Sequence, residues 1–529
     1  MSYILKVKSQ LNDVFSQFGK YIAPTYYHDR CERSLQMYLY VMHKREILLS
    51  LLALISAYIL LLFIGFAGPN VHKENQITAK QIFDDSSINE TYRSGLMSSG
   101  PFVVTTTSLN TYSQQLCLFL TFHLKNEEAS EAFHKEIGVD IQLDGIDESN
   151  RNTTIISDGR LVYQLYCGGR QCEPIQVIHL TYIAYKHYRV HITFEKLESV
   201  NNKYTIEDIT FTFQSINTSF TTLSIWFRFF FLLIAFCVMF WFTHSLYRFP
   251  IADWSLEQKW TSLLLSLLLV TNNPFYPMQF LLGSSLPRVM EVLFQCSLMS
   301  AVLLFWLCFY HGIRQNNRLL STFYAPKVGL IFVLWITMIS VMAGSVTNQL
   351  ENPIYDETKH FQSSTFLQFS NAIFYILLIG YFIYLSLLMM SAFTELRSMP
   401  YFDIRLKLQS FLMIFVLTVS LLTIVLSSSS SAISRIPFLQ ILPFSYYYGS
   451  SASFLSLFSI VNLYICICAY YYRPSHNQHN NDCRVVRDNP TLSMINDSDE
   501  DVIYGSDTEE PLQPQPKLID TKNDDEESD

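Results

Sequence analysis

Long runs of apolar residues are the feature that most constrains this chain. The first, residues 47–67, contains 21 residues and no charge. At about 1.5 Å per residue, a helix of that length crosses the roughly 30 Å of hydrocarbon in a bilayer. We therefore predict a multi-pass α-helical membrane protein with eight crossings. The other seven runs are 223–242, 261–282, 292–310, 328–347, 371–393, 409–427 and 451–472.

The charge content supports a membrane protein and excludes some partners. Only 15% of the residues are charged, against about a quarter in an average soluble domain. The net charge of −9 is concentrated in the tail, residues 473–529, which contains 15 acidic residues. No basic patch with interleaved aromatic residues occurs, so nucleic acid is not an expected partner.

The first apolar run is predicted to be an uncleaved anchor helix. It begins too far from the N-terminus for a signal peptide. His43, Lys44 and Arg45 precede it, and positive residues are retained on the cytosolic side. We therefore expect residues 1–46 to be a cytosolic segment and residues 47–67 to be the anchor.

The positive charges of the short loops test this orientation. With the N-terminus in the cytosol, the inner loops contain eight lysine and arginine residues and the outer loops contain three. This excess supports the predicted orientation. The inner residues are Arg248, Lys259, Arg314, Arg318, Lys327, Arg397, Arg405 and Lys407, and the outer residues are Arg288, Lys359 and Arg435.

Residues 68–222 are predicted to form a lumenal or extracellular domain. Apolar and polar residues alternate around 137–143, 188–194 and 209–213. A period of two is typical of half-buried antiparallel strands, so we expect a β-sandwich. Asp144-Gly145 is expected to form the turn that ends the first of these strands.

A lumenal placement predicts two kinds of modification. Sequons at Asn89, Asn152 and Asn217 predict N-glycosylation, although Asn217 lies close to the next span. Cys167 and Cys172 flank a glycine-rich turn, and we expect a disulfide between them in an oxidising compartment. Two free thiols are the alternative.

No motif for catalysis, metal or cofactor binding is present. The sequence contains no HExxH, GxSxG or Walker motif and no zinc-type cysteine pairs, so we expect neither an enzyme nor a cofactor. The middles of the predicted spans contain almost no ionisable residue, which argues against a proton pump or an ion-coupled transporter. Arg228 and Glu291 lie near span ends, where we expect them to reach the lipid headgroups.

Polar residues and prolines interrupt the third span at Asn272, Asn273, Pro274 and Pro277. Proline removes helix hydrogen bonds, and two interpretations have equal weight. The segment is either a kink that lines an intramembrane cavity or an early helix end followed by a lumenal turn. Asn462, midway along the last span, is expected to bond to a neighbouring helix, with a ligand contact as the alternative.

The acidic tail is predicted to be disordered and regulatory. Residues 496–510 have a high charge and few apolar side chains. Ser498 and Ser506 precede acidic residues and suit an acid-directed kinase. Phosphate there would alter recognition by a basic surface of a sorting adaptor, whereas a merely solvating tail is the alternative.

Five strings in the sequence carry a family resemblance. They are residues 226–231 (Trp-Phe-Arg-Phe-Phe-Phe), 254–260 (Trp-Ser-Leu-Glu-Gln-Lys-Trp), 304–314, 395–407 and 489–498. On these strings the chain resembles the transmembrane protein 181 family, within the wider group of Wntless and the GOLD-domain seven-helix proteins. The resemblance extends from about residue 44 to the tail.

The resemblance implies an architecture and a class of function. It implies an anchor helix, a GOLD-like lumenal β-sandwich at 68–222 and a seven-helix bundle at 223–472 with a receptor-like topology. The Wntless branch carries lipid-modified secreted cargo, and relatives of transmembrane protein 181 have been linked to the uptake of bacterial toxins.

We therefore predict a non-enzymatic receptor or trafficking factor of the secretory pathway or plasma membrane. Its expected partners are membrane lipid, a secreted or lipidated cargo or a toxin, and cytosolic sorting adaptors. A G-protein-coupled receptor is one alternative, but the third bundle helix ends in Tyr310-His311-Gly312 instead of an acidic-Arg-aromatic triplet. A lipid transporter or channel is the other alternative.

Overall fold

A computed structural model describes residues 35–84, 97–125, 133–149, 151–197, 205–282, 286–314, 320–354, 364–395, 403–428 and 450–475. The strands are β1 (His72–Thr78), β2 (Phe102–Thr105), β3 (Leu116–Leu124), β4 (Phe133–Ile146), β5 (Asn152–Cys167), β6 (Ile175–Leu180), β7 (His187–Glu195) and β8 (Ile206–Ile216). The helices are α1 (Lys44–Ala67), α2 (Ala79–Asp84), α3 (Thr218–Leu246), α4 (Leu256–Thr271), α5 (Met278–Leu281), α6 (Leu286–Arg314), α7 (Ala325–Glu351), α8 (Thr365–Glu395), α9 (Asp403–Ser428) and α10 (Ser451–Tyr472).

The segment between α1 and α3 is a β-sandwich, as its alternating sequence predicts. Two antiparallel four-stranded sheets have the orders β1-β8-β3-β6 and β2-β7-β4-β5. The apolar residues of the predicted runs face inward: Val190 and Ile192 in β7 and Ile209 and Phe211 in β8 are buried. Alternating side chains on two facing sheets thus build one core between them.

The predicted turn at Asp144-Gly145 is wrong. Strand β4 continues through both residues to Ile146, and Gly145 pairs with Tyr188 of β7. A glycine is needed here for packing, because a Cβ at Gly145 would lie 2.4 Å from the Tyr185 ring. The sequence pair typical of a turn therefore serves close contact with an aromatic ring.

Both open sides of the sandwich are closed. Helix α2 inserts Ala79 and Phe83 into the core on the β1–β2 side. On the β5–β6 side, Cys167 and Cys172 form a disulfide, and Ile354, from the segment after α7, packs against the core. Each side of the sandwich core is thus packed by groups outside the regular strand pairing.

Seven helices in the described residues are long and apolar enough to cross a membrane: α1, α3 and α6 to α10. They extend the predicted spans by a few residues at most ends. Some charges assigned to short loops lie inside them, including Lys327 in α7 and Arg405 in α9. Those two residues are therefore poor markers of loop orientation.

The third predicted span, 261–282, has different boundaries in the structure. Helix α4 has 16 residues, starts at a capping box of Ser255 and Gln258, and ends at Thr271. The early start follows from this cap, which satisfies two backbone N–H groups. The early helix end is the part of the second interpretation that the structure shows, because α4 ends before the two prolines and residues 272–277 form a turn before α5.

The described chain ends meet at the end of the bundle distant from the sandwich. The backbone N–H of Tyr38 donates to Arg473 O at 2.8 Å, and Met37 forms a β-bridge with Pro474. The Arg473 guanidinium lies 3.8 Å from the centre of the Tyr38 ring. Residues 35–42, predicted only as part of a cytosolic segment, therefore lie against the bundle.

Candidate functional site

The sandwich and the bundle are joined without a linker. Strand β8 ends at Ile216, and Asn217 caps α3 by accepting a hydrogen bond from the backbone N–H of Ser219 at 3.1 Å. The Asn217 backbone N–H donates to Val71 O at 2.8 Å. The side-chain cap and the backbone bond to Val71 therefore fix where the first turn of α3 begins relative to β8.

Side chains of the sandwich reach into the first turns of α3. Gln114 Nε2 donates to Thr221 Oγ1 at 2.7 Å, and Thr221 Oγ1 donates to Tyr112 O at 2.7 Å. Gln114 has a φ of 57° and a ψ of −51°, a sparsely populated backbone conformation for a residue with a side chain. The buried hydrogen bond to Thr221 stabilises Gln114 in this strained backbone conformation.

A second corner of the junction involves α6 and α7. Arg288 at the start of α6 donates to Thr181 O, and Thr181 Oγ1 donates to Gln349 O of α7 at 3.4 Å. His179 N of edge strand β6 donates to Pro353 O at 2.7 Å. The sandwich is thus bonded to several helices of the bundle.

Below the junction lies a buried ion pair. Arg228 Nη2 of α3 donates to Glu291 Oε1 of α6 at 2.7 Å, and the two side chains are only 2% and 5% exposed. Gln295 Nε2 donates to the same oxygen at 3.1 Å. The Arg228 guanidinium also lies 4.0 Å from the centre of the Tyr276 ring, which adds a cation–π contact.

This pair corrects the expectation that Arg228 and Glu291 reach the headgroups. The two charges are 63 residues apart in sequence and lie on different helices, so each looks isolated near the end of its own span. Packing α3 against α4 and α6 brings them together, and a buried charge requires such a partner.

The residues proposed to interrupt the third span adjoin this pair. Asn272 and Asn273 are buried, whereas Pro274 and Pro277 are exposed. Asn272 Nδ2 donates to Asn462 Oδ1 of α10 at 2.9 Å, which is the interhelical bond expected for Asn462. Asn273 has a φ of 50°, a conformation that asparagine tolerates in turns.

The ion pair and the buried polar residues around it are called the polar cluster. It combines the turn after α4 with the inner faces of α3, α6 and α10. Its members are Ser224, Arg228, Asn272, Tyr276, Gln279, Glu291, Gln295, Ser459 and Asn462.

Comparisons with known proteins place both halves of the chain. A family model described as Wntless-like, transmembrane domain, matches residues 217–476, and one described as TMEM181, GOLD domain, matches residues 100–216. "Transmembrane protein 181" of Homo sapiens is 35% identical over 485 residues, which is 90% of this chain and 95% of that protein. This chain belongs to the transmembrane protein 181 family.

In this member of the transmembrane protein 181 family, the boundary between the two matches falls at residues 216 and 217. That is where β8 ends and Asn217 caps α3. The GOLD domain is the β-sandwich, and the Wntless-like domain contains the polar cluster. The apolar N-terminal helix, the GOLD-type sandwich and the membrane helices predicted from the five strings are therefore present.

A second buried ion pair lies at the other end of the bundle. Arg405 in the first turn of α9 donates to Glu257 in the first turn of α4, and both side chains are almost fully buried. Nearby, Tyr472 OH donates to Gln409 Oε1 at 2.8 Å, and Gln409 Nε2 donates to Tyr464 OH at 2.6 Å. These contacts tie α4, α9 and α10 together.

Sequence reasoning missed this second pair. A glutamate in the first turn of a helix is common, because it complements the helix dipole. Nothing around Glu257 indicates a partner 148 residues away. The only hint is the capping box, which predicts that α4 begins before the charge and therefore carries it into the bundle.

The remaining predicted sites are distributed over the rest of the family member. Asn152 is exposed at the start of β5, and Asn217 is half-buried as the cap of α3. Asn89, Ser498 and Ser506 lie outside the described residues. Within the described ranges, no three His, Cys, Asp or Glu side chains come together as a metal site.

Proposed function

We propose that this family member is a non-enzymatic receptor or trafficking factor that binds a secreted protein, a lipidated cargo or a toxin through its β-sandwich. The observation that supports it best is the direct join at Asn217, reinforced by the Gln114–Thr221 contact. A ligand on the sandwich would act on α3 without an intervening flexible linker. Because α3 also carries Arg228, the same ligand would be sensed at the polar cluster.

The bundle suits a carrier better than a catalyst. Its inner faces supply hydrogen-bonding side chains around a self-neutralised ion pair. In a Wntless-like transmembrane domain, such a site would accommodate part of a cargo next to the sandwich. The cargo's polypeptide would meet the sandwich, and its apolar part would meet the bundle.

We further propose that the sandwich lies in the lumen or outside the cell and that both chain ends lie in the cytosol. The Met37–Pro474 bridge, at the end of the bundle distant from the sandwich, supports this placement. The exposed Asn152 would then carry a glycan, and the acidic tail would meet sorting adaptors. Phosphorylation at Ser498 and Ser506 would adjust that contact.

The test compares secreted and surface proteins between cells that lack this protein and cells that express it again. We expect a small set of proteins to be retained without it and released on rescue with the wild-type chain. A Gln114→Ala, Thr221→Val double variant at equal expression should rescue poorly, because it removes the buried contact that reinforces the join at Asn217. A Ser266→Ala variant, in which an exposed hydroxyl of α4 is lost, is the matched control.

An unchanged set of secreted and surface proteins would contradict the proposal. Full rescue by the double variant would contradict the role of the Gln114–Thr221 contact while leaving the receptor role in place. Toxin uptake is measured in the same cells as surviving fraction after toxin treatment.

A transporter is the second candidate function. The middles of the spans contain almost no ionisable residue, but Arg228 and Glu291 form a buried pair within the bundle. Intramembrane ionisable residues often mark substrate or ion pathways. Flux of labelled lipid or ions across vesicles containing the purified protein would favour this candidate, and flux equal to that of protein-free vesicles would exclude it.

A further inference from the structure

Six buried polar atoms on the uncharged side chains of the polar cluster have no hydrogen-bond partner among the described residues. Each belongs to a side chain that is at most 3% exposed. They come from α3, the turn after α4, α5, α6 and α10. The atoms are Ser224 Oγ, Asn272 Oδ1, Tyr276 OH, Gln279 Nε2, Gln295 Oε1 and Ser459 Oγ.

These atoms are tied to the ion pair by helix geometry and direct contact. Ser224 lies one turn before Arg228 on α3, and Gln295 lies one turn after Glu291 on α6, so each shares a helix face with a charged residue. The Tyr276 ring stacks on Arg228. Ser459 lies three residues before Asn462 on α10, so the two share a helix face, and Asn462 is bonded to Asn272.

These six buried atoms require hydrogen-bond partners. An unmet hydrogen bond on a buried polar group is costly, and native proteins supply a partner for almost all such groups. Polar internal sites are filled by water or by a ligand that makes the same bonds. The cluster offers both donors and acceptors, as a hydroxyl group requires of its surroundings.

Charge decides which ligand the cluster can take. Arg228 and Glu291 already neutralise each other, and the six atoms above belong to uncharged groups. A phosphate or an ammonium group brought here would lose its hydration without gaining an unpaired counter-charge. An uncharged hydroxyl group would exchange its hydrogen bonds with water for bonds to the protein.

The outer side of the same segment indicates where the ligand comes from. Residues 275–282 alternate in direction: Tyr276 and Gln279 face the cluster, whereas Phe275 and Leu281 are 63% and 79% exposed. A polar site backed by an apolar outer surface, in a segment of a membrane-spanning bundle, adjoins lipid chains. The source is therefore the bilayer and not a water-soluble polyol.

We propose that the polar cluster binds the uncharged, hydroxyl-bearing end of a membrane lipid, with its hydrocarbon part lying against Phe275 and Leu281. Water fills the cluster when no such group is bound. This lipid site does not depend on cargo binding by the sandwich. Its test therefore uses no cargo, and its failure is distinguishable from failure of the receptor role.

The experiment uses the full-length protein in nanodiscs of phosphatidylcholine doped with photoactivatable lipids. Diacylglycerol, ceramide and sterol probes supply an uncharged hydroxyl, and a phosphatidic acid probe with the same chains as the diacylglycerol supplies a charged headgroup. After illumination, labelled peptides are identified by mass spectrometry. We expect at least one hydroxyl probe to label residues 218–246 or 272–282 more strongly than phosphatidic acid does.

Variants then test the polar cluster itself. Tyr276→Phe combined with Ser459→Ala removes two hydroxyl groups with little change in volume, and labelling by the hydroxyl probe should fall about tenfold. Ser266→Ala, which removes an exposed hydroxyl of α4, should leave labelling unchanged. The melting temperature of each variant is measured alongside, and Tyr276→Phe alone replaces the double variant if the latter unfolds.

Two results would overturn the proposal. One is labelling by every hydroxyl probe that is no stronger than labelling by phosphatidic acid. The other is equal labelling of wild type and of a folded variant without the Tyr276 hydroxyl.

Discussion

The sandwich and the bundle place their charges in opposite ways. In the sandwich, the core between the sheets is apolar, and ion pairs such as Arg160–Glu195 lie on the surface, with side chains 63% and 51% exposed. In the bundle, the outer surface is apolar, and the pairs Arg228–Glu291 and Arg405–Glu257 are buried. The same amino acids thus have different structural roles on the two sides of Asn217.

The difference follows from the solvent of each half. Burial of apolar surface from water drives the sheets of the sandwich together. Lipid chains are as apolar as leucine, so the same side chains provide little drive for one helix to meet another in a membrane. Polar contacts between helices therefore specify which faces meet, and an ion pair without its partner is strongly unfavourable there.

The largest expected effect comes from breaking a buried ion pair. Glu291→Ala leaves Arg228 buried without its carboxylate and should destabilise the protein by about 3–5 kcal/mol. Glu195→Ala, which breaks the exposed pair in the sandwich, should cost at most about 1 kcal/mol. Thermal unfolding of the detergent-solubilised full-length variants measures both. Equal shifts for the two variants would remove the contrast.

Truncation of an apolar side chain should destabilise the sandwich core more than the outer surface of the bundle. Leu118→Ala in β3 empties a fully buried position of the sandwich and should cost about 2–5 kcal/mol. Leu233→Ala on α3 is the matched change on a side chain that is 49% exposed on the bundle surface, and it should have little effect. The readout is again the unfolding midpoint, and a large shift for Leu233→Ala would show that this position packs against protein.

A neutral interhelical bond should contribute less than an ion pair. Asn462→Ala removes the bond to Asn272 and should destabilise the bundle by about 0.6–1.7 kcal/mol. Gln214→Ala, which removes an exposed bond to Glu74 on the sandwich surface, is the control and should lie within about 0.5 kcal/mol of wild type. If Asn462→Ala destabilised the protein more than Glu291→Ala does, the ranking of the two contacts would be contradicted.

The smallest effect concerns pH and a buried thiol of the sandwich. Burial raises the pKa of the Cys117 thiol from 9.0 to about 12, so the unfolded chain releases this proton first as the pH rises. The contribution to stability is present below pH 9 and is lost as the pH rises from about 9 to about 12.

The measurement compares wild type with Cys117→Ala at pH 8 and pH 10. Wild type should lose up to about 1.4 kcal/mol more per pH unit above 9 than the variant does. Cys237→Ala removes an exposed thiol and should follow wild type. Parallel behaviour of wild type and Cys117→Ala would refute the raised pKa.

The sequence predicts the elements well where one local pattern dominates. Long uncharged runs predict seven of the spans within a few residues, and strict alternation predicts β4, β7 and β8. Prediction fails where a short sequence pattern exists because of a contact with a residue far away in the chain. Gly145 accommodates the Tyr185 ring 40 positions later in the chain instead of forming a turn, and the capping box at Ser255 moves α4 toward its N-terminus.

The candidate site depends on contacts between distant residues. Asn272, Asn273 and Asn462 are conspicuous in sequence because amides are rare in apolar runs. Arg228 and Glu291 are visible as well, but a charge near the end of a span is equally compatible with the headgroups. The choice between headgroup and partner depends on which helix faces meet, and a single span carries no information about its neighbour.

The sequence by itself determined the membrane spans, the sandwich and their order, because each depends on the solvent that a local run of side chains prefers. The burial of four charged residues in two ion pairs is visible only in the tertiary structure. The same holds for the six buried, unpaired polar atoms of the polar cluster around Arg228 and Glu291. Each of those contacts joins segments tens to hundreds of residues apart. Their free energy exists only once the helices have packed.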